Sequence, residues 1–398
     1  MSDDALLSGN RPPRKRKRLV DGRKIKRMLV QGLVRIAPAI ANLTGHFSKF
    51  SPSTTMPGFE RAEIELRFRS PYLDKAAALF AIKAGDPIPT ERRNQYRTDR
   101  LRDVVCFSGN GTIASLQPNV SIRWDVDGYF QDNLNAPGFY RDGGAIDEPV
   151  VYAIGLRRGH KHYWHFIAHY YQPLLLFLER ADKSEKLVMI TRDDLAEFQV
   201  ILFQQLVEKF PFITHRRVPD NLRLALKDVR IPFRVTDHQE ADIERSVIEF
   251  LSLAASTDNP PKRRLYITRN EARLRRLHNE DEVFALLQPL GFEMVCPGQM
   301  SFREQIAAFS EAEIVVAVHG AALTNLVYGG HCRVVIELFP ADFLKTTYLR
   351  LAERIGADYY PCTGSAGDRH QSFSIEPGLV FELAKKAVNS VSADVLRG

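Results

Sequence analysis

Two short segments carry residue types suited to gripping a polyanion. The run Val315-Val316-Ala317-Val318-His319-Gly320-Ala321-Ala322-Leu323-Thr324-Asn325 passes from β-branched residues through His-Gly into an apolar, helix-forming stretch. Such a strand, turn and helix leaves the first-turn N–H groups without partners at the positive end of the helix dipole, where an anion can sit. Small residues at Gly320, Ala321 and Ala322 let a phosphate approach the backbone. Upstream, Arg264-Leu265-Tyr266-Ile267-Thr268-Arg269 reads as a strand that opens into a loop holding Arg269, Arg273, Arg275 and Arg276. Guanidinium groups bind phosphate oxygens in pairs. Of these, Arg269 and Arg273 are expected on the anion and Arg275 and Arg276 in solvent. A third cluster, His162, His165 and His169, falls at i, i+3 and i+7 of a helical segment, near one face. Imidazoles titrate near neutrality and suit proton transfer. A zinc site built on His165 and His169 lacks an evident third ligand.

Regular elements must position these groups. After the arginine loop, Glu280–Pro289 reads as a helix, Phe292–Cys296 as a strand and Ser301–Ser310 as a helix capped by Ser301 with Glu304 three residues on. The His-Gly strand follows, and Val334–Leu338 is another. This alternation implies a parallel sheet with both anion-friendly loops at the carboxyl ends of strands, where open α/β sheets take ligands. Two such loops on one rim suggest a diphosphate. Glu337 is expected either to accept ribose hydroxyls or to form a surface ion pair, and Thr324 and Asn325 either to touch the ligand or to serve the first helical turn. In the first half, Val150–Ile154 and Lys186–Ile190 read as strands, His162–Ala181 and Asp194–Lys209 as helices, and residues 100–131 as short strands around a hairpin signal, Gly109-Asn110-Gly111. Asp125-Val126-Asp127 precedes Gly128 and reads as a turn after a strand rather than a metal motif.

The ordered set Tyr266-Ile267-Thr268-Arg269, Ala272-Arg273, Asn279-Glu280, Ser301-Phe302 with Glu304-Gln305, and His319 to Asn325 resembles glycosyltransferase family 61, known for bacterial capsular-polysaccharide enzymes and eukaryotic xylosyl- and N-acetylglucosaminyltransferases. The resemblance is close over about residues 258–340 and weaker over 100–190, through Leu101-Arg102-Asp103-Val104-Val105, Gly109–Thr112 and Tyr163-Trp164-His165-Phe166. It implies an α/β, GT-B-like fold: two Rossmann-like domains facing across a cleft, here with a basic N-terminal extension. It also implies inversion at the sugar carbon, no obligatory metal or cofactor, and a nucleotide-sugar donor, expected to be UDP-linked. The donor would be held by Arg269, Arg273, His319, Gly320, Ala321, Ala322, Thr324, Asn325 and Glu337, with catalytic roles for His165 and His169. The chain departs from the family at His162, where relatives carry Asn, at His169, where they carry an acid, and mildly at Ala322, where they favour Gly. His169 in place of the acid is the expected base. The same departure motivates an alternative: a non-catalytic nucleotide-sugar-binding protein of a polysaccharide assembly complex.

The 398 residues suit two domains of about 150 residues each plus extensions. Composition suggests a basic extension and linker over 1–57, and the resemblance implies an acceptor-side domain over 58–257, a nucleotide-sugar domain over 258–375, and a last helix within 376–398 that packs back on the fold. Residues Thr44–Pro57 read as the linker and Ser256–Lys262 as the interdomain boundary. The four cysteines, Cys106, Cys296, Cys332 and Cys362, show no Cys-x-x-Cys, which argues against a zinc ribbon or a disulfide framework and fits a reducing compartment. No run of 18 apolar residues suggests a transmembrane helix. Residues 1–27 hold ten of the 55 basic and three of the 48 acidic side chains, so the whole formal charge of +7 lies there. That tail reads either as a solvated leader or, with Ile25, Met28, Leu29, Leu33, Ile36 and Ile40 at helical spacing, as an attachment of residues 11–40 to an anionic membrane surface. The body has no basic surplus or nucleic-acid motif, and nucleic acid is not an expected partner. A signal peptide is disfavoured by ten basic residues ahead of a segment containing Arg35 and Pro38. The expected setting is the cytoplasm, at the inner membrane face, with a glycan or lipid-linked acceptor.

Overall fold

A computed structural model describes residues 49–52, 59–69, 91–108, 112–115, 120–123, 140–152, 161–235, 242–253, 255 and 262–395. The basic tail, the apolar spacing over 25–40, Gly109–Gly111 and Asp125–Asp127 lie outside the described residues.

The described residues form two sheets. The first is ten-stranded: β1 (Lys49–Pro52), β2 (Glu60–Arg69), β3 (Glu91–Phe107), β4 (Thr112–Ser115), β5 (Val120–Arg123), β6 (Arg141–Ile146), β7 (Val150–Tyr152), β8 (Leu187–Arg192), β9 (Ile213–Val218) and β10 (Leu222–Arg234). Its order is β1-β5-β4-β3-β10-β7-β8-β9, with β2 on β3 and β6 on β10. From β10 through β7, β8 and β9 the pairing is parallel, as the alternating strand and helix pattern predicts. On its other side β10 runs antiparallel to β3, and β2 and β4 run antiparallel to β3. The first half is therefore a mixed sheet rather than a purely Rossmann-like one. The physical reason is visible in β2, where Glu63 and Glu65 are exposed between the half-buried Ile64 and Leu66. One face of that ladder is wet, which antiparallel sheets tolerate and parallel ones do not. The expected hairpin forms, with Phe107 opposite Thr112. Residues 49–52, expected in a linker, pair as β1 with β5.

The second sheet holds β11 (Arg263–Ile267), β12 (Phe292–Val295), β13 (Ala312–Val318), β14 (Val334–Phe339) and β15 (Asp358–Thr363) in the order β12-β11-β13-β14-β15, all parallel. Every residue of β13 and β14 is buried, the pattern of strands covered on both faces.

Helix α1 (Tyr163–Phe166) passes through a π turn, Ile167–Tyr171, into α2 (Gln172–Arg180). Pro173 explains the turn: in a regular helix its ring would meet the carbonyl four residues back, and widening the preceding turn relieves that clash. Helices α3 (Glu197–Lys209) and α4 (Arg245–Leu253) follow. In the second half come α5 (Glu280–Leu287), α6 (Phe302–Ser310), α7 (Thr347–Ile355) and α8 (Pro377–Val395). The capping box read at Ser301 is formed: Ser301 N donates to Glu304 Oε2 at 2.7 Å and Glu304 N to Ser301 Oγ at 3.3 Å.

One hydrophobic cluster runs through both sheets, joining Phe166, Leu175 and Phe203 to Phe309, Tyr328 and Tyr348 without a break at 257/258. The Tyr163 ring stands edge-on to Phe302 at 5.6 Å and Trp164 to Tyr348 at 5.3 Å. A second cluster is confined to residues after 265, and α8 contributes Val380, Ala384, Ala387 and Val391 to it. The last helix thus packs on its own sheet, because its apolar stripe matches α5 and the strands beside it.

On β9, His215 Nε2 lies 2.7 Å from Thr191 Oγ1 and its ring 5.5 Å from Phe203. Burial, followed by the Arg217 charge, pushes its pKa from 6.5 down to about 4. A proton then binds the unfolded chain more tightly, so this contribution to stability is complete above about pH 6.5 and shrinks as pH falls towards 4. Urea midpoints at pH 7.5 and 5 should converge in His215→Asn relative to the parent; an unchanged gap would assign acid sensitivity to other groups.

Candidate active site

The order of the second sheet places a topological switch point between β11 and β13, the crevice where doubly wound sheets bind ligands. Both loops singled out from sequence emerge there. At the end of β11, Tyr266 OH and Thr268 Oγ1 donate to the buried Glu280 carboxylate at 3.1 and 2.7 Å, which anchors the start of the arginine loop. Arg269 is folded back against the other loop. Its Nη2 donates to the Leu274 carbonyl at 3.2 Å, while its Nε is buried without a hydrogen-bond partner. Arg275 adopts a left-handed backbone, φ 58, unusual for a residue with a side chain. That turn aims its Nε at the His319 carbonyl, 3.2 Å away, and its Nη1 at Gln371 Oε1, 3.0 Å away, with the guanidinium 4.9 Å over the Phe343 ring. Burial, then the neighbouring Arg275 charge, pulls the Arg269 pKa down to about 10. Burial lowers Arg275 as well. No carboxylate pairs with either guanidinium among the described residues.

At the end of β13, His319 Nδ1 lies 2.5 Å from Glu337 Oε1. The other Glu337 oxygen accepts from Tyr359 OH at 2.5 Å. Glu337 is wholly buried, with both oxygens held by His319 and Tyr359, rather than in a surface ion pair. It lies in the middle of β14 on the face behind His319, and its work is done on that ring. The His319 ring is stacked on Phe339 at 5.2 Å and tilted against Tyr348 at 5.3 Å. After Gly320 the chain forms a 3-10 helix, Ala321–Tyr328, rather than the expected α-helix. Thr324 and Asn325, within it, are fully buried. Thr324 Oγ1 sits 3.5 Å from Tyr348 OH, and Asn325 Nδ2 donates to Gln305 at 3.0 Å, so both support the walls rather than face the crevice.

The opposite wall is α1. His162, Trp164 and His165 line a cavity of about 280 Å³ together with Arg275, His319, Gly320, Ala321, Phe343, Lys345, Thr347 and Tyr348. The imidazoles of His162 and His165 are 4.5 Å apart, and that of His169 is stacked behind His165 at 5.5 Å. His169 is 4% exposed and does not line the cavity. Burial, then the charges of Arg275 and Arg269, lowers the His162 pKa and favours its neutral form. The two walls are tied together. Gln172 on α2 donates to the Asp242 carbonyl at 2.9 Å and accepts from Glu244 N at 2.7 Å, while Arg350 on α7 reaches Asp242 Oδ1 at 3.3 Å.

The cavity lining therefore contains cations, imidazoles and aromatic rings but no carboxylate. Of the expected donor residues, Arg269, His319, Gly320 and Ala321 come together; Ala322 is half-buried just beyond them; Arg273 is exposed and does not line the cavity. Its place is taken by Arg275, which the sequence suggested was solvated. Phe343, Lys345 and Tyr348 were missed, since they lie after β14 in a segment with no motif. A larger hollow of about 440 Å³ beside Arg61, Arg100 and Arg230 is not a second anion site, because those arginines pair with Asp99, Asp228 and Glu185. Among the described residues no group of three or more His, Cys, Asp or Glu is placed to hold a metal ion.

Part of the chain is similar to a family of sugar-transferring enzymes. The glycosyltransferase 61 family model matches residues 163–336, a span that contains α1, the arginine loop, the His319-Gly320 turn and the first half of β14. The chain thus resembles glycosyltransferase 61 over a span that carries part of each wall of the cavity. Among solved structures, it is similar to the bacterial iron-containing dodecameric glycosyltransferase TibC from enterotoxigenic E. coli H10407, at 12% identity and a TM-score of 0.32, covering 76% of this chain and 93% of that one. The iron-containing heptosyltransferase TibC in complex with ADP-D-beta-D-heptose matches at 12% identity and a TM-score of 0.29, covering 63% and 78%. No curated protein matches the chain. No helix among the described residues is long and apolar enough to cross a membrane.

Proposed function

We propose that this protein is an inverting glycosyltransferase of GT-B-like architecture, moving a sugar from a nucleotide-sugar donor to a glycan or glycolipid acceptor in surface-polysaccharide assembly. The observation that carries the proposal is the pair of half-buried guanidiniums, Arg269 and Arg275, without carboxylate partners beside the His319-Gly320 turn at the switch point. Cations without a carboxylate bonded to them in a partly desolvated crevice call for a polyanion, and a diphosphate is one. Because the arginines supply the neutralising charge, the donor needs no metal to be held. Charge builds on the leaving phosphate in the transition state, where preorganised donors act most strongly. On the facing wall, His165 is the imidazole placed to take the acceptor hydroxyl proton, with His169 stacked behind it. The setting that suits this chemistry is the cytoplasmic face of a membrane carrying a lipid-linked acceptor.

Calorimetry with UDP, GDP, CMP and their sugars in the presence of EDTA tests the reading on the wild type and on Arg275→Ala. One nucleotide class should bind without metal, and losing the charge-assisted contacts of Arg275 should weaken it roughly ten- to a hundredfold. Turnover of the bound donor then separates a transferase from a protein that only retains nucleotide-sugar. If no nucleotide binds, the proposal fails.

A further inference from the structure

The contacts of His319 carry an assignment beyond donor binding. Nδ1 is committed to Glu337, which leaves Nε2 as the ring nitrogen for the cavity that His319 lines. Glu337 is held in turn by Tyr359 OH, so a chain of two hydrogen bonds runs from β15 through β14 to the turn after β13. All three side chains are buried, and Glu337 entirely so. A carboxylate behind an imidazole fixes the ring orientation and stabilises the imidazolium, the logic by which buried acids serve catalytic histidines. Other groups around His319 are Arg275, whose Nε reaches its carbonyl, Arg269 against Gly320, Lys345 and Tyr348 on the cavity wall, and His162 and His165 on α1. Glu337 is thus the one carboxylate among the described residues that touches the ring.

Resting on the nucleotide-sugar reading, we infer that His319 is the leaving-group acid of the transfer and that Glu337, backed by Tyr359, is its positioning residue. As the bond from the sugar anomeric carbon to the diphosphate oxygen breaks, its electron pair moves to that oxygen, and the proton on His319 Nε2 is donated to it. The acceptor oxygen forms the new bond to the anomeric carbon, and its proton passes to the base on the α1 wall. Proton exchange with water on product release restores both imidazoles. Glu337 compensates the imidazolium at Nδ1, so His319 interacts more strongly with the free diphosphate, which carries one more negative charge, than with the intact donor.

That difference is measurable at equilibrium and in turnover. Binding of UDP against UDP-glucose, and of GDP against GDP-mannose, is compared in wild type, Glu337→Gln and His319→Asn, each checked by thermal melting. The wild type is expected to favour the free diphosphate, and both substitutions to erase roughly ten- to a hundredfold of that preference and of kcat, with donor Kd changing less than about threefold. Tyr359→Phe, which leaves the carboxylate in place, should shift the same ratio several-fold in the same direction, and it keeps the inference falsifiable if Glu337→Gln does not fold. Equal weakening of diphosphate and sugar-nucleotide would reduce His319 to a donor contact and overturn the inference while leaving the transferase reading intact. An unchanged ratio in Tyr359→Phe and Glu337→Gln would overturn it too. Failure of the wild type to bind either ligand pair would overturn the nucleotide reading beneath it.

Discussion

Alanine at position 320 is expected to cost donor binding about as much as removal of Arg269 itself, on the order of a hundredfold in affinity and more in turnover. A Cβ at Gly320 would lie 1.6 Å from Arg269 Nη1 and 2.6 Å from its Cζ. Neither distance is survivable, so the guanidinium must shift from its place against Gly320. The Gly320 backbone is extended, φ 176, and any residue could adopt it. Space is therefore the whole requirement, and one methyl group removes it. Because both substitutions act through the same guanidinium, Gly320→Ala combined with Arg269→Ala should bind nucleotide no more weakly than Arg269→Ala alone, a strong departure from additivity. Calorimetry on the two single variants and the double variant gives the answer. Wild-type affinity in Gly320→Ala would mean that Arg269 does not hold the donor.

The second large effect separates two histidines that sequence alone could not rank. His165→Ala should lower kcat by roughly a hundred- to ten-thousandfold, the usual range for losing a general base, while donor affinity stays near the parent value. His169→Ala should act chiefly on stability. Its ring is 4% exposed and stacked behind His165, so truncation opens space in a packed helix junction at a cost of roughly 2–4 kcal/mol. Any effect of His169 on turnover would pass through the ring in front of it. Melting curves and single-turnover transfer on the two variants decide the matter. Loss of turnover in His169→Ala at unchanged melting temperature, with His165→Ala active, would move the base one turn along the helix and require the π turn to open. The π turn that carries His169, directly after the helix of His165, is itself a consequence of Pro173, which ties the placement of the imidazoles to a residue outside the cavity.

Much of the second sheet is legible in the chain because its signals are local. Ser301 and Glu304 cap a helix through atoms three residues apart, and β13 and β14 are unbroken apolar runs, which strands buried on both faces require. The anion site is half legible. Arg269 and His319-Gly320 follow strands whose parallel pairing can be inferred from element order, and that pairing puts them on one rim. Arg273 and Arg275 cannot be told apart in this way: a single residue separates them, and the left-handed turn at Arg275 decides which guanidinium enters the cavity. Glu337 is a similar case. Its position in β14 follows from pattern, but whether it faces a ligand or the back of His319 depends on which face of β14 turns towards β13 and β15.

The first half shows the limit more sharply. The thirteen residues of β10 form the centre of the first sheet, antiparallel to β3 on one side and parallel to β7 on the other. Nothing within Leu222–Arg234 specifies either partner, since β3 lies more than a hundred residues away in sequence. Likewise Tyr348, Phe343 and Lys345 become site residues only because α7 is anchored through Arg350 to Asp242, next to the carbonyl that Gln172 holds.

By itself the sequence determined which groups could do chemistry, namely the arginine loop, the His-Gly turn and the histidine helix, and that the second half is a parallel α/β unit, because capping, periodicity and small-residue turns act over a few residues. Only the tertiary structure decided that Arg275 and not Arg273 enters the crevice, that His165 and not His169 faces it, and that Glu337 serves His319, because those outcomes depend on burial and on contacts between residues far apart in the chain.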